Sequence, residues 1–232
     1  LGSVPVTGNL GVQLVHTDQA GFGTFVNGDG SLAPIEDGAS YTDFLPTLNL
    51  VFDLSDSVKV RFGASRTLAR PRLDQLNPSG NLAVRQQNIG NGVTDPNGEV
   101  VFRRSSGNAQ LRPYISNQVD VSIEKYFGGS GYISLAAFYK DLNDFVNTGD
   151  SFVEDFSAAA LTFLTPAQQA MLDTPLGLNV INSNNGFGRI RGAEASLSVP
   201  LDLITESLEG FGFLTSASFT DSRVTLFSGQ DA

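Results

Sequence analysis

Between residues 44 and 70 apolar and polar side chains alternate in two runs joined by a short polar turn. Leu48, Leu50, Phe52 and Leu54 share one face of the first run, and Asn49, Val51 and Asp53 share the other. After residues 55–57 the pattern resumes, with Val58, Val60, Phe62 and Ala64 opposite Lys59, Arg61, Gly63 and Ser65. Successive side chains of an extended chain point to opposite sides, so period two over this length predicts a β-hairpin. An apolar strip on one face and charge on the other suits a sheet between lipid and water. It equally suits one wall of a soluble sandwich.

The same alternation recurs along the chain and predicts about seven strands, near residues 9–16, 44–54, 57–66, 116–127, 131–140, 189–199 and 211–221. In the fourth, Val119, Val121 and Ile123 oppose Asp120, Ser122 and Glu124. In the fifth, Ile133, Leu135, Ala137 and Tyr139 oppose Ser134, Ala136 and Lys140, with Phe138 breaking the polar side. The connections alternate in length: long, then a short turn, then an excursion of residues 67–113, a turn at 128–131, an excursion of residues 141–187, and a moderate link at 200–210. In an up-and-down antiparallel sheet this order gathers the long loops at one end and the short turns at the other. Transmembrane β-barrels have that asymmetry, with long extracellular loops and short periplasmic turns. Soluble sandwiches keep most loops short. The fold class expected is therefore all-β, an antiparallel up-and-down transmembrane barrel wall occupying residues 1–232. Tyr126, Phe127, Phe211 and Phe213 flank the short connections, while Tyr41, Phe44, Phe138 and Tyr139 lie near strand ends, the placement of an interfacial aromatic girdle.

Strict parity turns Asp53, Lys59, Arg61, Asp120, Glu124 and Glu194 toward the lumen. Lys125 falls on the apolar face beside a short turn, where a long side chain reaches water. His16, Arg66 and Arg191 fall on the apolar face at long-loop ends. There Arg66 and Arg191 either meet lipid A phosphates, turn inward at a bulge, or remain as solvated rim charges.

Composition narrows the function. Of 232 residues only 16% are charged, 25 are Gly, and the net charge is -10. Nucleic-acid binding needs clustered cations and is not expected. The chain has no cysteine and one histidine, His16, so a thiolate or zinc site and a His-based triad are not expected either. No cofactor and no enzymatic activity are predicted. The chain starts at Leu1 without a signal-peptide pattern and has no apolar run long enough for a spanning helix, so any membrane crossing is by strands. Gly186, Gly188 and Gly192 imitate a dinucleotide loop, but at the wrong spacing and in a strand. Asn27, Asp29 and Gly30, and likewise Asp95, Asn97 and Glu99, offer calcium-type oxygens that ordinary turn chemistry also explains. Asp141 and Asp144 form a carboxylate pair of undefined separation. Two sets of loop residues are candidate ligand contacts. Arg70, Arg72, Arg103 and Arg104 bracket the first excursion with guanidinium groups suited to carboxylates, phosphates or hydroxyls. In the second, Asp141, Asp144, Asp150, Glu154 and Asp155 interleave with Phe145, Phe152 and Phe156, a mixture of acceptors and apolar faces used by carbohydrate sites and by solvated loops alike. Thr165 before Pro166 and the helix formers at 167–172 predict a short capped helix there.

Particular blocks resemble a family. Residues 41–71, YTDFLPTLNLVFDLSDSVKVRFGASRTLARP, are similar to the barrel of TonB-dependent outer-membrane receptors, in which an LPSLNL strand, a turn and an R-S/T-x-x-RP ending recur. NLGVQLV at 9–15, GNAQLRPYISNQVDVSIEKYF at 107–127, AAFYKDLNDFV at 136–146 and RIRGAEASLSVPL at 189–201 resemble further blocks in family order. Ala109 and Tyr114 depart from the pattern at the usual Pro and Glu, and plug, TonB box and terminal aromatic strand are missing from these residues. The resemblance implies a section of a barrel of about 22 strands and a longer parent chain. It implies outer-membrane localisation in a Gram-negative bacterium, active import of a scarce ligand, and as partners the membrane lipid and lipopolysaccharide, the TonB complex reached through other segments, and the remainder of the barrel. The ligand expected is an oligosaccharide, with ferric siderophore, haem or cobalamin as alternatives. A passive porin and a soluble β-sandwich binding module or adhesin share many of these features and remain open.

Overall fold

The computed structural model describes residues 4–89 and 100–227. Among them are nine strands: β1 (Val6–Val26), β2 (Leu32–Ser55), β3 (Val58–Ala69), β4 (Gly80–Val84), β5 (Phe102–Ser106), β6 (Tyr114–Phe127), β7 (Gly131–Asp155), β8 (Leu176–Pro200) and β9 (Gly212–Leu226). β1, β2, β3, β6, β7, β8 and β9 lie side by side in that order, each antiparallel to the next. The β4–β5 hairpin runs across the long-loop end. It pairs in parallel with the end of β1 at Phe25–Gly80 and with the start of β8 from Arg103–Leu178 to Ser106–Ile181. An eight-strand ring results, with β9 added outside it.

Local chemistry sets the turns. At the short-turn end β6 passes into β7 through Gly128 and Gly129, with φ of 54° and 75°, values that a side chain would strain. β1 and β2 join through residues 27–31, where the Asn27 backbone N–H donates to the Ser31 carbonyl at 2.8 Å and the Asp29 carboxylate accepts from the Ser31 N–H at 2.9 Å. The Asp29 carboxylate is thus used in closing a turn, to which the Asn27 amide adds a hydrogen bond donated to the Ser31 hydroxyl at 2.9 Å. Hydrogen bonds from Ser31 hold the Asp29 carboxyl below its ordinary range. The second such motif, at 95–99, lies outside the described residues.

Burial is inverted relative to a water-soluble sheet. Val119, Val121 and Ile123 on one face of β6 are each 45% exposed, and Leu10 on β1 is 78% exposed, whereas the alternating Asp120, Ser122 and Glu124 are half-buried. So continuous an exposed apolar surface is what a barrel face turned to hydrocarbon presents. The close-packed apolar residues gather instead at the long-loop end. There Val101, Phe102, Phe156, Ala160 and Leu164 form a core beneath the β4–β5 hairpin and the short helices α2 (Ser157–Phe163) and α3 (Pro166–Ala170). Thr165 caps α3 through a reciprocal pair with Gln168, and Pro166 occupies the first helical turn.

The strands overrun their sequence-based limits. The strand near 9–16 runs to Val26, that near 44–54 begins at Leu32, that near 131–140 continues to Asp155, and that near 189–199 begins at Leu176. Alternation of apolar and polar residues arises from the difference between lipid and water on the two faces. Beyond the apolar band that difference is absent, so the alternation fades while the backbone ladder continues. Among the described residues, the excursions at 67–113 and 141–187 contain strand extensions, a hairpin and short helices. The purely antiparallel order is likewise corrected by the two parallel seams of β4 and β5.

Candidate functional site

On the face opposite the apolar strip the register stacks polar residues into rows. Val51, Arg61, Ser122, Ala136 and Glu194 stand side by side across β2, β3, β6, β7 and β8, and Asp53, Lys59, Glu124 and Ser134 form the next row toward the short turns. Lys59 Nζ lies 2.6 Å from Asp53 Oδ1, and Arg61 Nε donates to Glu124 Oε1 at 2.9 Å. The Tyr126 hydroxyl donates to the other Glu124 oxygen at 2.6 Å. Arg61, Asp120 and Glu194 line a shared cleft of about 400 Å³. Phe138, on this polar side, stands directly opposite Gly192, where its ring fills the space that a Cβ would need. This aromatic covers a glycine in the sheet, which explains its break in the alternation.

Nearer the long-loop end, Gln13, Thr47, Ser65, Thr67 and Arg70 line a cleft of about 680 Å³ between β1, β2 and β3. The segment preceding β6 is tied to the same two first strands. Gln19 Nε2 donates to the carbonyls of Ala109 at 2.6 Å and Leu111 at 2.9 Å, and the Tyr41 hydroxyl donates to Gln19 Oε1 at 3.0 Å. The Arg112 guanidinium lies 5.2 Å from the Tyr41 ring centre and 3.6 Å from Asp43 Oδ1. Asp43 is only 5% exposed, so this cation is the principal compensation for its burial.

Asparagines of β8 fasten the excursions together. Asn182 Nδ2 donates to the Gln75 carbonyl at 3.1 Å, while its own carbonyl accepts from Asn108 Nδ2 at 2.9 Å. Asn184 accepts from the Arg112 N–H at 2.8 Å and donates to the carbonyls of Arg112 and Asp144, each at 2.9 Å. Asn185 Nδ2 donates to Asp150 and to the Phe227 carbonyl. Replacing Asn184→Ala removes three hydrogen bonds to backbone groups, two exposed and one half-buried, at about 0.5–1.5 kcal/mol for each. Hydrogen exchange followed by mass spectrometry is expected to show roughly tenfold faster exchange at residues 107–113. Unchanged protection there would mean that Asn184 is not the fastening point.

The structure does not bring the sequence-predicted ligand contacts into one site. Arg70 reaches the larger cleft. Arg72 is paired with Asp74 at 2.8 Å at the start of α1 (Leu73–Leu76). Arg103 and Arg104 lie on β5, and Arg104 stacks over Phe25 at 5.2 Å and lies 3.8 Å from Glu154. Asp141 shares its face with Tyr139 and is bonded by Asn143 at 3.1 Å, whereas Asp144 takes a φ of 58° at an irregularity in β7. Phe145 packs edge-on against Tyr114 at 5.1 Å, and Phe156 is buried against Phe102. Hydrogen bonds from the Ser157 hydroxyl and N–H hold the Asp155 carboxyl below its ordinary range. Much of the acid and aromatic mixture of the second excursion therefore holds that excursion together. Gln19, Tyr41, Asp43, Arg112 and the Asn182–Asn185 run were missed as organising residues. Four amide or hydroxyl side chains in succession in a strand, against ordinary β-preference, were the available signal. Among the described residues no three His, Cys, Asp or Glu side chains converge in a metal-binding group.

Residues 2–231 match the family described as TonB dependent receptor-like, beta-barrel. No curated protein matches the chain. Among solved structures, a ferric enterobactin receptor (PfeA) from Pseudomonas aeruginosa is 18% identical, with a TM-score of 0.52 over 82% of this chain and 24% of that one. The siderophore receptor PirA from Pseudomonas aeruginosa is 16% identical, with a TM-score of 0.49 over 93% of this chain and 34% of that one. The chain thus spans between 24% and 34% of the length of these two receptors. With the family pattern matched along residues 2–231 and the exposed apolar strands built as that pattern requires, the chain belongs to the TonB-dependent receptor β-barrel family.

Proposed function

We propose that this chain forms a section of the wall of an outer-membrane active importer in a Gram-negative bacterium, energised through TonB by segments outside the wall. The observation that carries the reading is the pairing of an exposed apolar outer face with half-buried charged rows on the inner one. Along the apolar band β1 and β9 each keep one edge without a neighbour among the described residues, and these edges are assigned to the remainder of the barrel. Transport rather than catalysis follows from the family.

For the ligand, a neutral oligosaccharide fits the inner face better than an anionic ferric chelate. The larger cleft offers the Gln13 amide and the hydroxyls of Thr47, Ser65 and Thr67 beside Arg70. Asp120 and Glu194 add negative charge to the neighbouring cleft, which opposes a polyanion. Haem and cobalamin are weaker fits, since the aromatic rings of the second excursion are partly consumed in its own packing. The test is uptake by cells expressing the full-length receptor, supplied with labelled maltohexaose or a labelled ferric catecholate. Saturable maltohexaose uptake that a protonophore abolishes is expected. Protonophore-insensitive uptake would indicate a passive porin, and preferential uptake of the ferric catecholate would overturn the ligand assignment.

A further inference from the structure

On the outer face the apolar band ends, at the long-loop side, in a polar row that the register builds across five strands. Arg66 stands beside Asn117, Asn117 beside Asp141, Asp141 beside Arg189, and Arg189 beside Arg223. One step closer to the short turns Tyr139 stands beside Arg191, and Arg191 beside Asp221. The next step is wholly apolar, with Val121, Ala137, Ala193 and Phe219 in line. From Asn117 to Lys125, the polar limits of the band on β6, strand rise and tilt give a height of roughly 20 Å. The arginines therefore lie where hydrocarbon gives way to headgroups.

Their chemistry is specific as well as their depth. Asp221 Oδ2 accepts from Arg191 Nε at 3.1 Å, and Asp221 Oδ1 lies 3.8 Å from Arg223 Nε, so one carboxylate orients two guanidinium groups. Each guanidinium has five N–H donors and keeps most of them free for a second acceptor. Both side chains are more than half exposed. Arg189 and Arg223 border a cleft of about 400 Å³ with Tyr139, Phe187 and Thr225. Arg189, Arg191 and Arg223 against Asp141 and Asp221 leave a net charge of +1, in a chain whose net charge is -10 and which has 14 Lys and Arg in all. A local cationic excess on an acidic protein, set at the edge of an apolar band, is complementary to an anionic lipid headgroup.

We propose that Arg189, Arg191 and Arg223 bind the phosphate groups of an anionic outer-leaflet glycolipid, with Tyr139 and Phe187 against its sugar and acyl root. This rests on the outer face being lipid-facing and is independent of the ligand imported through the lumen. The test is native mass spectrometry of the full-length receptor in detergent, titrated with bis-phosphorylated lipid A, with the same lipid dephosphorylated, and with inorganic phosphate. The wild-type protein is expected to retain the phosphorylated lipid at least tenfold more strongly than the dephosphorylated one, less so at high salt, and inorganic phosphate is not expected to displace it. The double substitution Arg189→Gln with Arg223→Gln is expected to remove that preference while leaving maltohexaose uptake unchanged. Equal binding of the two lipids by the wild-type protein would overturn the proposal without any variant. So would an unchanged preference in the folded double variant, or displacement by inorganic phosphate, which would mark a free-phosphate site. A receptor that discriminates the lipids yet imports no maltohexaose would count against the ligand reading alone.

Discussion

Truncating Phe102→Ala is expected to destabilise the long-loop end by about 3–5 kcal/mol, the usual cost of removing a buried phenylalanine. Phe102 is fully buried and stacks on Phe156 with ring centres 5.6 Å apart and 13° between planes. Val101, Ala160 and Leu164 complete the cluster. Gly177 of β8 passes so close to the Phe102 carbonyl that a side chain there would collide with it, so the neighbouring strand cannot simply move in to fill the space. Hydrogen exchange in the full-length protein should rise at residues 156–164 and 176–181 while the band strands β6 and β7 below them stay protected. Loss of protection along the whole of β6 would show instead that wall and cap are one cooperative unit.

Ala137→Arg is the second large effect, at about 2–4 kcal/mol, because Ala137 stands level with Val121, midway between the polar limits of the band at Asn117 and Lys125. By register Ala137 stands between Val121 and Ala193, one step from Tyr139 and two from Ile133 with its neighbour Lys125. No polar group is within its own row on β6, β7 and β8. The neighbouring Ala136→Arg, on the inner face beside Ser122 and Glu194, is the matched control and should be nearly neutral. Denaturant titration of the two variants refolded into the same lipid measures the difference. If both substitutions cost the same, the apolar face is not facing hydrocarbon, and a soluble sandwich regains ground.

The wall was legible in the sequence because the bilayer writes a period of two into any strand that crosses it. Leu48 to Leu54, Val119 to Ile123 and Ile133 to Ala137 each carry that signature. The cap was not legible, for a physical reason. Thr17 to Val26 and Leu176 to Arg189 lie beyond the apolar band, where no difference between lipid and water imposes alternation, and Gly177, Leu178 and Asn179 are buried within the cap, so nothing in their hydropathy distinguishes them from loop. The β4–β5 hairpin is shorter still, and its partners are more than fifty residues away in the chain. The candidate contacts fared unevenly for a related reason. A guanidinium or a carboxylate in an excursion reads as available, and only its spatial partner decides. Arg72 has Asp74, Arg104 has Phe25 and Glu154, and Arg70 opens onto the larger cleft. The family blocks, by contrast, sit on strands and turns whose spacing is fixed by the wall, which is why they kept their order.

The two parallel seams carry a consequence for assembly. Every step of the wall but β3 to β6, which spans the first excursion, joins consecutive strands, so hairpins can add one after another. The β5 seam joins Arg103 to Leu178 and cannot form until β8 has been threaded past β6 and β7. Closing so long a segment is entropically slow. The cap should therefore zip up last, after the strands beneath it are seated, and a receptor caught midway would be an open trough rather than a ring.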